Sequence, residues 1–172
     1  MDKAKVLENF KLKKLDLADA LIFSMHANNR NIWRNLTDRF PHPYTEENAR
    51  DFIKLTHKAE PTQIFGIYVG TEPIGAIGLH PLDDVFTKNI ELGYWIAEPY
   101  WGKGIMSSAI AQMIHYGFEN FDINRIFARP FGRNIGSIKT LEKNGFVLEA
   151  TLKNTIFKDG KYEDELIYAI RK

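Results

Sequence analysis

The chain has 172 residues, 44% of them hydrophobic and 26% charged, enough for one domain with a buried core and too few to expect two. Its 23 basic and 22 acidic residues leave a net charge of +1, which argues against a broad nucleic-acid footprint or a polybasic membrane patch. No cysteine is present, so disulfides, thiolate metal sites and a cysteine nucleophile are excluded together. Met1 to Lys5 lead into no long apolar run, so neither a signal peptide nor a membrane span is expected, and the expected setting is cytoplasmic.

Phe10 and Leu12 alternate with Lys11 and Lys13, a short first strand. Asp16, with Asp19 three residues on, caps a helix whose buried stripe is read as Leu17, Ala20, Leu21, Ser24 and Met25. Asn28 to Pro43 is rich in Asn, Arg and aromatics, and Pro41-His42-Pro43 precludes a regular helix there. Thr45 followed by Glu46 and Glu47 starts a helix that runs to about Ala59, with Phe52, Ile53, Leu55 and Thr56 as its apolar positions. Ile64 to Val69 and Ile74 to Leu79 read as paired strands around a Gly70 to Pro73 turn. After a linker from Pro81 to Lys88, Asn89 to Ala97 is a central strand. A helix follows, with Met106, Ala109, Ile110, Met113, Ile114 and Phe118 at three-and-four spacing. Arg125 to Arg129 is a strand stopped by Pro130, and Ser137 to Lys143 a short helix stopped by Asn144-Gly145. Phe146 to Phe157 and Tyr162 to Ile170 close the chain as a hairpin turning at Lys158 to Lys161. The order β-α-α-β-β-β-α-β-α-β-β predicts a mixed α/β domain over residues 1–172, without internal repeats, low-complexity segments or domain linkers.

Between the central strand and its helix lies Glu98-Pro99-Tyr100-Trp101-Gly102-Lys103-Gly104-Ile105-Met106. Two glycines flanking Lys103 permit a tight turn with several N–H groups pointing one way, and the helix N-terminus adds unpaired donors and a positive dipole end. This is a cradle for a phosphate or pyrophosphate, or else a strand-to-helix turn that needs glycine for steric reasons. It is not a Walker loop, because no Lys-Ser or Lys-Thr ends it, and Ser107 stands where a dinucleotide fingerprint has its third glycine. His26, His42, His57 and His115 show no metal-ligand spacing, and no nucleophile motif supports a Ser-His-Asp triad, so no metal is expected.

Three segments together resemble the GNAT superfamily of acetyl-CoA-dependent N-acetyltransferases, and within it the branch named for the ribosomal-protein N-terminal acetyltransferases RimJ and RimL. They are Pro43-Tyr44-Thr45 with Ala49 and Phe52-Ile53; Ile90-Glu91-Leu92-Gly93-Tyr94-Trp95-Ile96 running into Tyr100-Trp101-Gly102-Lys103-Gly104-Ile105; and Asn134-Ile135-Gly136-Ser137 followed by Leu141-Glu142-Lys143-Asn144-Gly145-Phe146. They span most of the chain in family order. The family's pyrophosphate motif begins with Gln or Arg and ends with Gly or Ala, whereas Trp101 and Met106 stand at those positions, so contacts there would fall to backbone amides.

The resemblance implies a mostly antiparallel sheet of about seven strands flanked by helices, an α/β (α+β) fold whose central strands splay to admit acetyl-CoA. It implies that Tyr94, Trp95 and Ile96 offer backbone partners to the pantetheine arm like an added strand. Trp101, Gly102, Lys103, Gly104, Ile105 and Met106 would hold the pyrophosphate, and Asn134 the amide arm, or else cap a helix. Glu91 is the candidate base for the attacking amine, directly or through a water; the alternative is a salt-bridged surface carboxylate. Alternation sets Glu91 on one strand face with Gly93 and Trp95, opposite Ile90, Leu92, Tyr94 and Ile96, unless a bulge shifts the phase. Ser137 matches a hydroxyl beside the departing thiolate, in the cofactor site, or is an N-cap. Trp33, Tyr44 and His80 are candidates for the acceptor pocket, with ordinary packing as the alternative.

The leading expectation is transfer of acetyl from acetyl-CoA to a primary amine by direct attack, with a protein N-terminal α-amine favoured over a small amine such as a polyamine or antibiotic. A second is a GNAT-like module that binds CoA without catalysis. A third, independent of the family, is a phosphate-ligand domain using the same cradle. No nucleic-acid or membrane partner is expected, and a monomer and a homodimer fit equally.

Overall fold

The computed structural model describes Leu7 and residues 9–172, so the reading of Met1 to Lys5 lies outside the described residues. Its strands are β1 (Phe10–Lys13), β2 (Ile64–Val69), β3 (Glu72–Pro81), β4 (Asn89–Ile96), β5 (Arg125–Ala128), β6 (Val147–Lys158) and β7 (Lys161–Arg171). They form one seven-stranded sheet in the order β1-β2-β3-β4-β5-β7-β6. The β4–β5 pair is parallel, while β1–β2, β2–β3, β5–β7 and β6–β7 are antiparallel. The helices are α1 (Ala20–Ala27), α2 (Arg30–Trp33), α3 (Glu46–Thr56), α4 (Ile105–Asn120) and α5 (Ile135–Lys143). A mixed α/β sheet flanked by helices is what the element order predicts, with one short helix added.

That helix, α2, sits inside the segment read as irregular. Asn29 caps it, accepting the Asn31 N–H at 2.7 Å, and its four residues end well before Pro41. The proline block is real, but it acts only on the residues close to it. Asp16 and Asp19 do form a capping box, with bonds of 2.8 and 3.0 Å, around the 3-10 turn Leu17–Asp19 that leads into α1. Thr45 caps α3 as read and exchanges bonds of 3.2 and 2.9 Å with Asn48. Helix α5 begins two residues earlier than the sequence suggests, because Asn134 and not Ser137 is its N-cap.

By internal contacts the chain divides into two compact units, Met1–Gly78 with Tyr94–Ala109, and Leu79–Gly93 with Ile110–Lys172. The core of the first is aromatic. Phe23 on α1 stacks on Phe52 at 5.6 Å and meets Trp95 edge-on at 4.9 Å, while Phe40 lies 4.7 Å from Tyr44 and 5.7 Å from Trp95. Phe23 thereby decides which side of α1 turns inward. Ala20, Phe23, Ser24 and Ala27 are buried, whereas Leu17, Leu21 and Met25 of the expected stripe are 42%, 55% and 70% exposed. An apolar residue at nearly every position of α1 gave no periodic signal to choose a face, and the largest ring took the core. Leu55 on α3 is likewise exposed, with Ala49, Ile53 and Thr56 as the buried positions.

In the second unit β5 lies between β4 and β7, and Ile126 and Phe127 are buried. Helix α4 approaches closely at Gly117, where a Cβ would come 2.9 Å from Leu79 Cδ1 and 3.0 Å from Ile126 Cδ1. The buried line of α4 is Ile105, Ala109, Ile110, Met113 and Gly117. The expected stripe is thus rotated by one position at its start, with Met106, Ile114 and Phe118 half-buried at its margin. On β7 three consecutive acids reach three separate cations: Glu163 pairs Arg133, Asp164 pairs Lys153 and Glu165 pairs Arg129.

Replacing Phe23 by alanine removes the ring that Phe52 and Trp95 pack against. Large aromatic truncations in a core cost roughly 3–5 kcal/mol. Phe23→Ala is therefore expected to lower the denaturant midpoint by that equivalent, whereas Leu21→Ala on the same helix should leave it nearly unchanged.

Candidate active site

Strand β4 delivers the chain to the glycine-rich turn with a defined backbone direction. Leu82 N–H bonds the Asn89 carbonyl at 3.2 Å, and Ala97 N–H bonds the Ile74 carbonyl at 2.8 Å. Odd-numbered residues of β4 therefore turn their backbone groups to β3, and even-numbered ones turn away. Trp95 follows this rule: a Cβ at Gly75 would run into the Trp95 carbonyl and lie 2.9 Å from Ile96 Cα. Of the three expected backbone partners, then, Tyr94 and Ile96 present their polar groups away from β3 and Trp95 does not. The rungs joining β4 to β5 run from Asn89↔Arg125 to Glu91↔Phe127, and β4 continues five residues beyond them to Ile96.

The turn itself has the expected form. A 3-10 turn, Glu98–Tyr100, leads to Trp101, and Gly102 and Gly104 take φ of 70° and 87°, the left-handed region that a side chain disfavours. The first bond of α4 runs from Ser108 N–H to the Gly104 carbonyl at 3.1 Å, so the N–H groups of the turn before it stand outside the helical ladder. Lys103 Nζ lies 5.1 Å from the centre of the Tyr100 ring. Ile105 is fully buried and anchors the helix start, while Lys103, Gly104 and Met106 are half-buried. Trp101, 44% exposed, donates its indole N–H to the Ile96 carbonyl at 2.8 Å. At the position where the family has Gln or Arg, this chain has a group that binds the end of its own β4.

Side chains from the first unit pin the turn's lead-in. Glu98 accepts from Asn29 Nδ2 at 2.7 Å and from Asn31 Nδ2 at 3.1 and 3.2 Å. Those amides, Asn29 first and Asn31 second, hold the Glu98 carboxyl below the usual carboxylate range. Tyr100 donates to Glu72 Oε2 at 3.2 Å, and Glu72 Oε1 meets His26 Nε2 at 2.7 Å. Burial, then the Glu72 charge, pushes the Tyr100 phenol up. Sequence reading missed this set, because its members come from α1, α2, β3 and the turn. The Asn-rich stretch Asn28-Asn29 to Asn31 was the only visible sign of it.

In the second unit, Glu91 is half-exposed between buried Ile90 and Leu92, as alternation predicts. Arg129, just past β5, grips it in a fork, Nε to Oε1 at 3.0 Å and a terminal nitrogen to Oε2 at 3.1 Å, and also reaches Glu165 at 3.4 Å. The salt-bridged alternative for Glu91 is therefore present. Arg129 was missed as a partner; the parallel register, Glu91 opposite Phe127 with Arg129 two residues on, is what brings them together. His80 lies over Gly93, where a Cβ would stand 3.4 Å from its Nε2. Crowding around the ring lowers the His80 pKa, and the Glu91 carboxylate acts in the opposite direction.

Asn134 caps α5 by accepting the Ser137 N–H at 3.3 Å, which leaves its Nδ2 without a hydrogen-bond partner among the described residues. Ser137 is half-buried in the first turn of α5. Since it receives the cap bond, its reading as the N-cap is corrected. Of the residues read toward an acceptor, Tyr44 is 6% exposed inside the aromatic core, and burial pushes its pKa up to about 12. Trp33 is half-buried, stacked on His42 at 5.5 Å with the Arg30 guanidinium 5.9 Å from its ring. Among the described residues no three His, Asp or Glu side chains group to hold a metal, and no helix is long and apolar enough to cross a membrane.

Comparison with known proteins agrees with this geometry. Residues 9–147 match the acetyltransferase (GNAT) domain model. The chain is 30% identical over 128 residues to a ribosomal-protein-serine acetyltransferase of Escherichia coli, covering 73% of this chain and 71% of that protein. In fold it is similar to RimL, a ribosomal L7/L12 alpha-N-protein acetyltransferase, in complex with coenzyme A, at a TM-score of 0.82, 22% identity and 96% coverage of each chain. It is also similar to a spermidine N-acetyltransferase from Vibrio cholerae in complex with CoA and spermine, at a TM-score of 0.79 and 22% identity over 95% of this chain and 96% of that one.

The Glu98 clamp has a pH signature. A carboxyl with a lowered folded pKa contributes stability that is present above its unfolded value, about 4.3, and lost as the pH falls through the folded one. Between pH 6 and pH 3 the melting temperature of Glu98→Gln should therefore fall less steeply than that of the unaltered chain. Identical slopes would mean that Asn29 and Asn31 do not hold the carboxylate in solution.

Proposed function

Because the chain belongs to the GNAT acetyltransferase family, we propose that it carries acetyl from acetyl-CoA to the α-amine of a protein N-terminus. The observation that supports the cosubstrate best is the turn Trp101 to Ile105, whose two left-handed glycines and helix start leave backbone N–H groups outside the helical ladder, as a pyrophosphate site requires. Trp101, Gly102, Lys103, Gly104, Ile105 and Met106 take that role, with Lys103 adding a cation. Backbone groups of Tyr94 and the N–H of Ile96, which face away from β3, serve the pantetheine arm, the Ile96 carbonyl already accepting the Trp101 indole, and the Asn134 amide donates to the arm. The Ser137 hydroxyl is assigned to the departing thiolate. The acceptor reading draws on the relative named for ribosomal-protein serine acetylation, and a cytoplasmic setting belongs to the same proposal.

The reaction joins an amine nitrogen to a thioester carbonyl carbon. Holding both substrates in place supplies much of the acceleration through proximity. A backbone N–H on the carbonyl oxygen and a donor on the sulfur stabilise the charge that develops there. The proton on the amine sets the remaining demand. An α-amine with a pKa near 7.7–8.0 is roughly one-tenth neutral at pH 7, whereas a lysine-like amine near 10.4 is neutral in only about one molecule in 2,500. A modest base on the open face that carries Glu91 and His80 suffices for the first, and Trp33 and His80 would contact the incoming chain.

Thermal unfolding with and without acetyl-CoA, with ATP as control, tests the cosubstrate. A ligand at about a hundred times its dissociation constant adds ~2.7 kcal/mol, or ~5–10 °C for a chain of this size. A shift of that order with acetyl-CoA and none with ATP is expected; equal shifts would favour a general phosphate-ligand domain. Thiol release with Ser- and Ala-initiated peptides, against spermine, then tests the acceptor. Turnover of spermine alone would move the assignment to small amines, and binding without turnover of any amine would leave a CoA-binding module. Ser137→Ala should cut kcat by roughly tenfold or more and keep the acetyl-CoA shift, as removal of a transition-state contact requires. A lost shift would instead make Ser137 part of the binding surface.

A further inference from the structure

Two groups on the same face of the second unit can accept a proton, and their surroundings differ. Both Glu91 oxygens are committed to Arg129, at 3.0 and 3.1 Å, and Arg129 is itself fixed by Glu165. His80 has no side-chain hydrogen bond among the described residues. Its Nε2 lies over Gly93, where the missing side chain leaves room above the strand. We propose that His80, and not Glu91, takes the proton from the acceptor amine, and that Glu91 is a positioning residue whose charge, held by Arg129, steadies the imidazolium that forms. This rests on the N-acetyltransferase reading given above.

The step balances without another reactant. His80 removes one proton from the ammonium group, and the freed lone pair on nitrogen attacks the thioester carbonyl carbon, forming the C–N bond. The tetrahedral intermediate collapses as the C–S bond breaks, and the second proton on nitrogen passes to the leaving thiolate. The products are the amide, CoA as its thiol and a proton that His80 returns to solvent. An imidazole suits this task because its neutral form offers a lone pair, and His80 stands exposed at the end of β3 where an amine can reach it, while desolvation of the ring favours that neutral form. The charged groups around it are Glu91 on β4, which favours the protonated ring, and through Glu91 the pair Arg129 and Glu165, which fixes the carboxylate in place.

The test combines kinetics with NMR on the full chain. With acetyl-CoA and a Ser-initiated peptide, His80→Ala and His80→Gln should each lose about a hundredfold or more in kcat, the usual scale of general-base removal. Both should keep the acetyl-CoA thermal shift, and free imidazole should restore part of the His80→Ala rate. The His80 ring should titrate below the ordinary histidine range, and Glu91→Gln should move that titration lower still. A wild-type rate in His80→Gln overturns the proposal. So does a ring that is protonated at neutral pH, which NMR reports whether or not the chosen peptide is turned over. Absence of an acetyl-CoA shift in the unaltered chain is a different result: it removes the N-acetyltransferase reading itself.

Discussion

A glycine-rich turn can hold an anion only if its N–H groups are already aimed when the anion arrives. Left to themselves, Gly102 and Gly104 would sample many conformations, and the entropy of ordering them would count against binding. The chain meets this constraint next to the turn. Pro99 restricts the lead-in, Glu98 is held by Asn29 and Asn31, Tyr100 is tied through Glu72 to His26, and Ile105 is sunk in the core. The glycines supply the shape and their neighbours hold it, so apart from Ile105 the residues that hold the turn are not those that would touch the ligand.

The face that carries Glu91 and His80 follows another logic. A carboxylate gripped by a guanidinium fork is a charge fixed in place by two charge-assisted bonds. The His80 imidazole, with no side-chain hydrogen bond among the described residues, is not held in this way. The division proposed between Glu91 and His80 therefore traces to Arg129, which bridges Glu91 and Glu165. Its placement comes from the parallel β4–β5 register, so a feature of sheet topology sets the electrostatics of the site.

Much of this was legible in the chain. Strand β2 falls on its predicted residues, β4 and β5 differ from them by a residue at one end, and the Asp16 and Thr45 caps are in place. These are local signals: alternation, turn residues and caps act over a few positions. The inner face of α1 was not legible, because a helix apolar all round carries no phase and only the rings of Phe52 and Trp95 select Phe23. Tyr44 could be placed in its segment but not by depth, and the structure puts it in the core. At the site, the glycine turn and Asn134 were visible as sequence motifs. The Glu98 clamp and the Arg129 fork join residues 38 to 69 positions apart, and nothing local marks such pairs.

The indole of Trp101 stands where a ligand on the turn would be felt. Of the chain's three tryptophans, Trp95 is packed in the core, Trp33 is stacked on His42, and Trp101 stands half-open to water at the mouth of the glycine turn with its N–H on the Ile96 carbonyl. Indole emission responds to the polarity around the ring and to the bond its N–H makes. A molecule settling on the turn would alter both for this ring first, so the chain's own fluorescence would report the filling of the proposed cradle.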